Sequence, residues 1–303
     1  MKAARRTAAA CALAVLAGCT TPAAHHAAAP PSSARPAPSP SPSPSPHSRV
    51  PPAGAPAHTL IVVLENHNYS QVIGRPSAPF LNGLASRGAL FTNSRAITHP
   101  SEPNYLALFS GSTQGVTGDG CPERFTGPNL ASELLAAGYT FAGYAEGLPA
   151  TGSNTCNVGN TYARRHVPWT NFTTVPPSLS LPFSAFPAGN FAALPTVSFV
   201  IPDLCHDMHN CSTATGDAWV QAHIGPYANW AMTHHSLLIV DFDENDYSPG
   251  NQIPTIFYGG TVRPGRYGEP ITHYSVLRTI ENLYGLRALG QAANAAPITN
   301  VWR

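Results

Sequence analysis

Lysine is almost missing from this chain: Lys2 is the only one in 303 residues. The folded part holds none, which removes P-loop, Schiff-base and lysine-base chemistry. Charge of either sign is also scarce, at 10% of residues with a formal net charge of +1. No basic tract interrupts the folded part, so nucleic-acid binding has no electrostatic footprint. The G-x-S-x-G elbow of α/β hydrolases is absent. There is no C-x2-C pair either, so a zinc site built from thiolates lacks its usual spacing. The apolar run near the N-terminus, Ala8 to Ala17, is too short to span a bilayer.

What is present begins with an export signal. Lys2, Arg5 and Arg6 precede the apolar stretch, which ends in Leu16-Ala17-Gly18-Cys19. That box reads as a bacterial lipoprotein processing site, with cleavage before Cys19 and lipidation of its thiol; an ordinary signal peptide with an incidental cysteine is the alternative. Residues 19–57 are mostly Ala, Pro and Ser, with alternating Ser-Pro from Ser39 to Pro46. Such a composition cannot bury enough apolar surface to fold and predicts an extended tether. The expected organisation is a leader over 1–18, a tether over 19–57 and one folded domain over 58–303. The expected location is outside the cell membrane, either anchored by lipid or secreted, with the lipid anchor as the only membrane contact.

Four cysteines remain in the folded part, an even number that favours two disulfides in an exported chain. Cys205 and Cys211 are close enough to staple one loop, leaving Cys121 to pair with Cys156. A site using all four thiolates is the competing arrangement.

Apolar runs predict strands at Thr59–Leu64, Tyr139–Ala145, Thr196–Ile201, Ser236–Phe242 and Pro254–Tyr258. Helices are expected at Ala78–Ser86, Glu102–Phe109, Asn129–Ala137, Ala218–Met232 and Tyr274–Tyr284. Alternation of the two predicts an α/β domain with a mainly parallel sheet. The polar stretch from Thr151 to Gly189 reads as an excursion over the surface that rims the site.

Two of the strands end on ligand-type groups: Leu64 is followed by Glu65-Asn66, and Phe242 by Asp243-Glu244. In open parallel sheets, ligands bind beyond the carboxyl ends of the strands. Acidic residues at two such ends suggest a shared site holding a hard cation on oxygen ligands. Ser101, in His99-Pro100-Ser101-Glu102-Pro103, is placed to open a helix. A plain serine N-cap is the commonest use of such a residue. Beside a cation, however, it has the position needed to attack phosphorus, with the helix end attracting the anion. Asp203, Asp207 and His209 leave the strand Thr196–Ile201 together and suit a metal or proton-transfer role. His67 and His99 flank the site.

These motifs together resemble the phosphoesterase family of bacterial phospholipases C and acid phosphatases, within the alkaline-phosphatase superfamily. The resemblance runs from about residue 58 to 285. It rests on Glu65-Asn66-His67-Asn68-Tyr69, on His99-Pro100-Ser101-Glu102-Pro103-Asn104-Tyr105, and on Pro202-Asp203 with Asp207-Met208-His209. Asp243-Glu244 and Thr272-His273-Tyr274-Ser275 complete it. It implies a three-layer α/β/α sandwich and phosphoryl transfer to a serine, assisted by one or two divalent metal ions. Glu65, Asn66, Ser101, Asp243 and Glu244 then form the metal set, with Ser101 as nucleophile. Asp203, Asp207, His209 and His273 match positions for a second metal or for phosphate, and His209 or His273 assists the leaving group. The substrate is a small phosphate ester or a phospholipid. One departure concerns the acidic pair: larger members follow it with glycines and Asp-His, whereas this chain has Asn245-Asp246-Tyr247. A sulfatase is the enzymatic rival, but Ser101-Glu102-Pro103-Asn104-Tyr105 lacks the arginine of C/S-x-P-x-R. A non-catalytic envelope lipoprotein that keeps the fold for binding is the rival of another class.

Overall fold

The computed structural model describes residues 49–303, all of which fall in one compact unit. The leader, Cys19 and most of the proposed tether lie outside the described residues. Residues 49–57, assigned above to the tether, lie against the domain instead. The Arg49 N–H donates to the Gly138 carbonyl at 2.8 Å, its guanidinium stands over the Tyr139 ring, and Ala55 is buried.

One mixed sheet runs through the centre. Its strands are β1 (Thr59–Leu64), β2 (Ala89–Phe91), β3 (Phe141–Ala145), β4 (Ser180–Pro182), β5 (Val197–Ile201), β6 (Leu237–Phe242), β7 (Thr255–Tyr258) and β8 (Gly265–Tyr267). They lie in the order β8-β2-β7-β6-β1-β5-β3-β4. β1 sits centrally and pairs in parallel with β5 and β6, with Ile61 opposite both Phe199 and Ile239. β7 is the exception, antiparallel to both β6 and β2. No helix intervenes between β6 and β7, and without a crossover the chain can only fold back on itself.

The strands read as continuous apolar runs because both faces of the sheet are covered. Ile61 and Val63 point into a core shared with α2 (Ser101–Ser110), α3 (Leu130–Ala136) and α6 (His273–Tyr284). Leu60, Val62 and Leu64 point into the opposite core, shared with α1 (Pro79–Arg87), α4 (Thr213–His223) and α5 (Gly225–Ala231). The result is the three-layer α/β/α sandwich. Where one helix is expected over Ala218–Met232 there are two, because Pro226 cannot continue the hydrogen-bonding of the preceding turn.

α2 matters most for the site. Every one of its residues is buried, which explains why its sequence has no polar face. It stops at Gly111, whose φ of +69° only glycine adopts readily and whose missing Cβ leaves room for the Leu289 carbonyl.

The excursion after β3 is ordered. It folds back through a two-stranded ribbon, Asn157–Val158 with Tyr162–Ala163, and several 3-10 turns, then adds β4 to the sheet edge. It also seats Trp169 flat on β3. A Cβ at Gly143 would stand 2.1 Å from the Trp169 ring, so the indole needs a glycine beneath it. Gly143→Ala is therefore expected to lower stability by about 3 kcal/mol, measured by urea unfolding, because both partners are buried and backbone-anchored. The two disulfides pair as expected, Cys121–Cys156 and Cys205–Cys211. Among the described residues, no helix is long and apolar enough to cross a membrane.

Candidate active site

Parallel pairing brings the carboxyl ends of β1, β5 and β6 to one edge of the sheet. Glu65 and Asn66 follow β1, while Asp243 and Glu244 follow β6. Ser101 enters from the first turn of α2. The Ser101 hydroxyl lies 3.1 Å from Glu65 Oε2 and 3.2 Å from Glu244 Oε1. Asn66 takes a left-handed φ of +54°, which lets its N–H donate to Asp243 Oδ1 at 3.1 Å. Asn66 tolerates that backbone better than most residues. The five residues expected to form the metal set thus come together from three separate parts of the chain.

This cluster is buried and short of counter-charge. Glu65, Asp243 and Glu244 have almost no exposed surface. Burial, reinforced by Asp243 and Asp207, holds the Glu65 carboxyl well above the usual carboxylate range. Burial likewise raises Asp243 to about 7, and burial together with Asp243 raises Glu244 to about 8. Asn66 Oδ1 and Asp243 Oδ2 are buried without any hydrogen-bond partner. Orphaned oxygens among crowded carboxylates cost free energy that a bound cation would recover. The donor set is all oxygen and so fits a hard divalent ion.

Two groups that sequence reasoning did not assign complete the floor of the site. Tyr105, one turn along α2 from Ser101, donates its hydroxyl to Glu65 Oε1. His166, from the excursion, stacks on Tyr105 with ring centroids 5.2 Å apart. Its Nε2 lies 3.2 Å from Glu65 Oε1 and its Nδ1 lies 3.3 Å from Asp207 Oδ2. Burial, with Arg165 and His209 nearby, pushes the imidazole well below its ordinary pKa. The available signal was Arg164-Arg165-His166, the densest basic run of an otherwise polar excursion, but it follows no strand end.

The loop after β5 divides. The Asp207 carbonyl accepts the Glu65 N–H at 2.8 Å, and Asp207 Oδ1 accepts the His209 N–H at 2.8 Å. Glu65, His166 and His209 each present one ligand atom within 4.8 Å of the others. Asp203, by contrast, turns away. It joins Glu146 and His206, with Glu146 Oε2 accepting from His206 Nδ1 at 2.8 Å and from the Asp203 N–H at 3.0 Å. Asp203 therefore does not share a ligand set with Asp207 and His209, which corrects the expectation drawn from their common origin. Asp203 Oδ1 closes a turn on the Cys205 and His206 N–H groups, and Glu146, Asp203 and His206 each present a ligand atom within 4.8 Å of the others, apart from the Ser101 cluster.

His273 is corrected in the same way. Its ring is buried behind Asp243, with Nδ1 3.1 Å from Asp241 Oδ2 and Nε2 donating to the Asp243 carbonyl at 2.7 Å. Burial opposes its charge, but Asp241 and its hydrogen bond prevail and raise the pKa. With both nitrogens engaged, His273 is placed to fix the Asp243 backbone rather than to protonate a leaving group. The anion site expected at the start of α2 is also largely spent: the Glu102 N–H donates to Asp119 Oδ1 at 3.0 Å, and Pro103 has no N–H. His99 lies at the rim. Its Nδ1 meets Glu244 Oε2 at 2.5 Å and its ring stacks on the exposed Tyr247 at 4.1 Å. His67 Nδ1 is turned to the Glu65 carbonyl at 2.8 Å.

This fold is like that of solved proteins of the alkaline-phosphatase superfamily. A protein of that superfamily from Vibrio parahaemolyticus superposes with a TM-score of 0.55, at 13% identity, over 81% of this chain and 72% of the other. The phosphonate monoester hydrolase of Silicibacter pomeroyi gives a TM-score of 0.51 at 12% identity, over 82% and 78%. The chain belongs to the phosphoesterase family, whose sequence profile it matches over residues 74–287, and it is a phosphoric ester hydrolase. It is 58% identical to a phosphatidylinositol-3-phosphatase of Mycobacterium tuberculosis over 81% of this chain and 83% of that protein. It is 30% identical to an acid phosphatase of Aspergillus fumigatus over 76% of its own length, spanning about half (55%) of that longer protein.

Proposed function

We propose that this chain is a metal-dependent phosphatase in which Ser101 is the nucleophile and a phosphoseryl intermediate forms. One observation carries the reading: at the head of a wholly buried helix, a serine hydroxyl lies within 3.2 Å of carboxylates from two different strand ends. A serine serving only as a helix cap would need neither. Glu65, Asn66, Ser101, Asp243 and Glu244 would hold the cation, and Asp207, His166 and His209 offer room for a second. When bound, a divalent cation lowers the pKa of a serine hydroxyl and offsets charge on phosphoryl oxygens.

The chain's own residues do the rest. Tyr105 holds the Glu65 carboxylate in place, and His273 holds the Asp243 backbone. The Ser101 proton has acceptors at Glu65 Oε2 and Glu244 Oε1. With one cation bound, His209, which reaches the ligand cluster from the loop after β5, would exchange its Arg165 contact to donate a proton to the departing alkoxide; holding a second cation excludes that role, and water then protonates the alkoxide. Water then attacks the phosphoserine and releases phosphate.

The substrate class follows the relatives' names. One is a phosphatidylinositol-3-phosphatase and several are acid phosphatases, so a phosphomonoester, with phosphoinositide headgroups included, is the proposed substrate. Purified protein loaded with Mg²⁺, Mn²⁺ or Ca²⁺ is expected to hydrolyse p-nitrophenyl phosphate and phosphatidylinositol 3-phosphate. It is expected to act on bis-p-nitrophenyl phosphate and phosphatidylcholine at least about tenfold more slowly. Equal or faster hydrolysis of phosphatidylcholine would shift the reading to a phospholipase C. Export and lipid attachment at Cys19 belong to the same proposal, supported by the leader sequence; a Cys19→Ser chain that still partitions into membranes would refute the anchor.

A further inference from the structure

The turn Asn245-Asp246-Tyr247, where the sequence departs from the pattern of larger phosphoesterases, has no task in the chemistry above. It is clamped at several points. The Asn245 N–H donates to Asn251 Oδ1 and its Nδ2 to the Ser248 carbonyl, both at 2.9 Å. Asp246 Oδ2 accepts from Gln71 Nε2, and Asn251 Nδ2 donates to the Thr98 carbonyl, again at 2.9 Å. Tyr247 stands at the tip. It is 69% exposed, and no other Phe, Tyr or Trp among the described residues is as open. Its φ is +65°, a left-handed value that a tyrosine adopts only at a cost. A backbone held in that region by its surroundings points to a position kept for what it presents.

What the turn presents is an aromatic face beside the nucleophile. One side of the Tyr247 ring lies on His99, with centroids 4.1 Å apart and planes 17° from parallel. His99 Nδ1 meets Glu244 Oε2 at 2.5 Å, and Glu244 Oε1 lies 3.2 Å from the Ser101 hydroxyl. Only His99 and Glu244 therefore separate the ring from the nucleophile. Partial burial, reinforced by Glu244, Asp119 and Asp243, raises the phenol above its ordinary pKa, which places its hydroxyl end on the carboxylate side. The other face of the ring is open to solvent. Ser101 itself is buried, so an ester with its phosphorus at that hydroxyl directs its alcohol outward, in line with the displacement. The alcohol leaves past this wall.

Resting on the phosphatase reading above, we propose that Tyr247 is a specificity residue: its open face stacks on the leaving group and favours phosphomonoesters of ring-bearing alcohols, aryl or cyclitol, over those of acyclic alcohols. An aromatic leaving group gains an offset stack on the phenol. A cyclitol gains by burying its apolar C–H face against it. A flexible acyclic alcohol covers less of the ring and loses more rotamer freedom in doing so. The clamped turn holds the platform in place before substrate arrives, so little ordering cost falls on binding.

The test uses the full metal-loaded protein with p-nitrophenyl phosphate, myo-inositol 1-phosphate and glycerol 3-phosphate as substrates, and inorganic phosphate as competitive inhibitor. Each variant is compared with wild type on the same substrate, which cancels the intrinsic reactivity of the esters. Tyr247→Ala is expected to lower kcat/KM about tenfold on both ring esters, mainly through KM, and no more than about twofold on glycerol 3-phosphate. The inhibition constant of phosphate, which has no leaving group, should stay within about twofold of wild type. Tyr247→Phe should keep most of the activity on p-nitrophenyl phosphate. Tyr247→Asn separates the ring from the backbone: asparagine takes the left-handed φ more readily, so the melting temperature should move by only a few degrees while the selective loss remains. If Tyr247 served only to position His99 and Glu244, all three esters would fall together, and that result overturns the inference while leaving the phosphatase reading intact. Unchanged kinetics on the ring esters overturn it equally. If wild-type protein hydrolyses none of the three, the phosphatase reading fails and takes this one with it.

Discussion

Replacing Ser101 by alanine is expected to lower kcat for p-nitrophenyl phosphate by about 10³-fold or more while leaving the fold intact. The loss is large because the hydroxyl oxygen is the atom that bonds to phosphorus; no neighbour can substitute for it. Tyr105 carries the adjacent hydroxyl, but that group donates to Glu65, and burial holds its pKa well above the ordinary value. The fold should survive for reasons visible in α2. Alanine is a better helix former than serine, and the Ser101 side chain makes no capping bond to the helix backbone. Its hydroxyl touches only Glu65 and Glu244, which retain Tyr105 and His99 as partners. The melting temperature should therefore move by only a few degrees. The same variant should trap no phosphate on the protein after acid quench of a reaction with labelled substrate. Activity within about tenfold of wild type would exclude the serine mechanism and direct attention to a water held by the same carboxylates.

How far this site was legible depends on where its residues come from. Glu65, Asn66, Asp243 and Glu244 follow apolar runs directly, so a strand pattern points to them without any knowledge of packing. Ser101 was legible through Pro100 and Pro103, which announce a helix start. His166 and Tyr105 were not. Tyr105 lies inside an apolar helix and reads as core. His166 sits in a segment with no hydrophobic period, where local sequence carries no directional information and only the tertiary path of the excursion decides what it faces. The placements of Asp203 and His273 away from the Ser101 cluster have a related cause. Both leave or precede an element at the correct edge of the sheet, but direction at a strand end is set by the next turn. Asp203 is spent on the N–H groups of Cys205 and His206, and His273 is held by Asp241 on the neighbouring face of β6. For the fold, the alternation of strands and helices was enough to predict the sandwich. The reversal of β7 and the break at Pro226 depend on connection length and on one missing N–H, which periodicity does not register.

The second large effect concerns the cation itself. Removing divalent ions with EDTA is expected to abolish phosphatase activity and to lower the melting temperature by about 5–10 °C relative to protein in saturating Mg²⁺ or Mn²⁺. A ligand at 100 times its dissociation constant adds about 2.7 kcal/mol, and each kcal/mol moves a domain of this size by roughly 2–4 °C. The sign of the pH dependence follows from the carboxyls. Glu65, Asp207, Asp243 and Glu244 all have folded-state pKa values raised by burial, with Asp243 at about 7 and Glu244 at about 8. In the metal-free protein the native state then holds more protons than the unfolded chain between about pH 4 and pH 8. Its stability accordingly falls as pH rises through that window. The cation needs those same oxygens deprotonated, so its binding releases protons and strengthens with pH. The two trends compound: the gap in melting temperature between loaded and metal-free protein should be small near pH 5 and widest near pH 8. Scanning calorimetry at both pH values, with and without EDTA, measures it directly. A gap that is absent at pH 8, in protein that remains active after chelation, would mean that the orphaned oxygens of Asn66 and Asp243 serve no cation, and the metal-dependent mechanism would have to be abandoned.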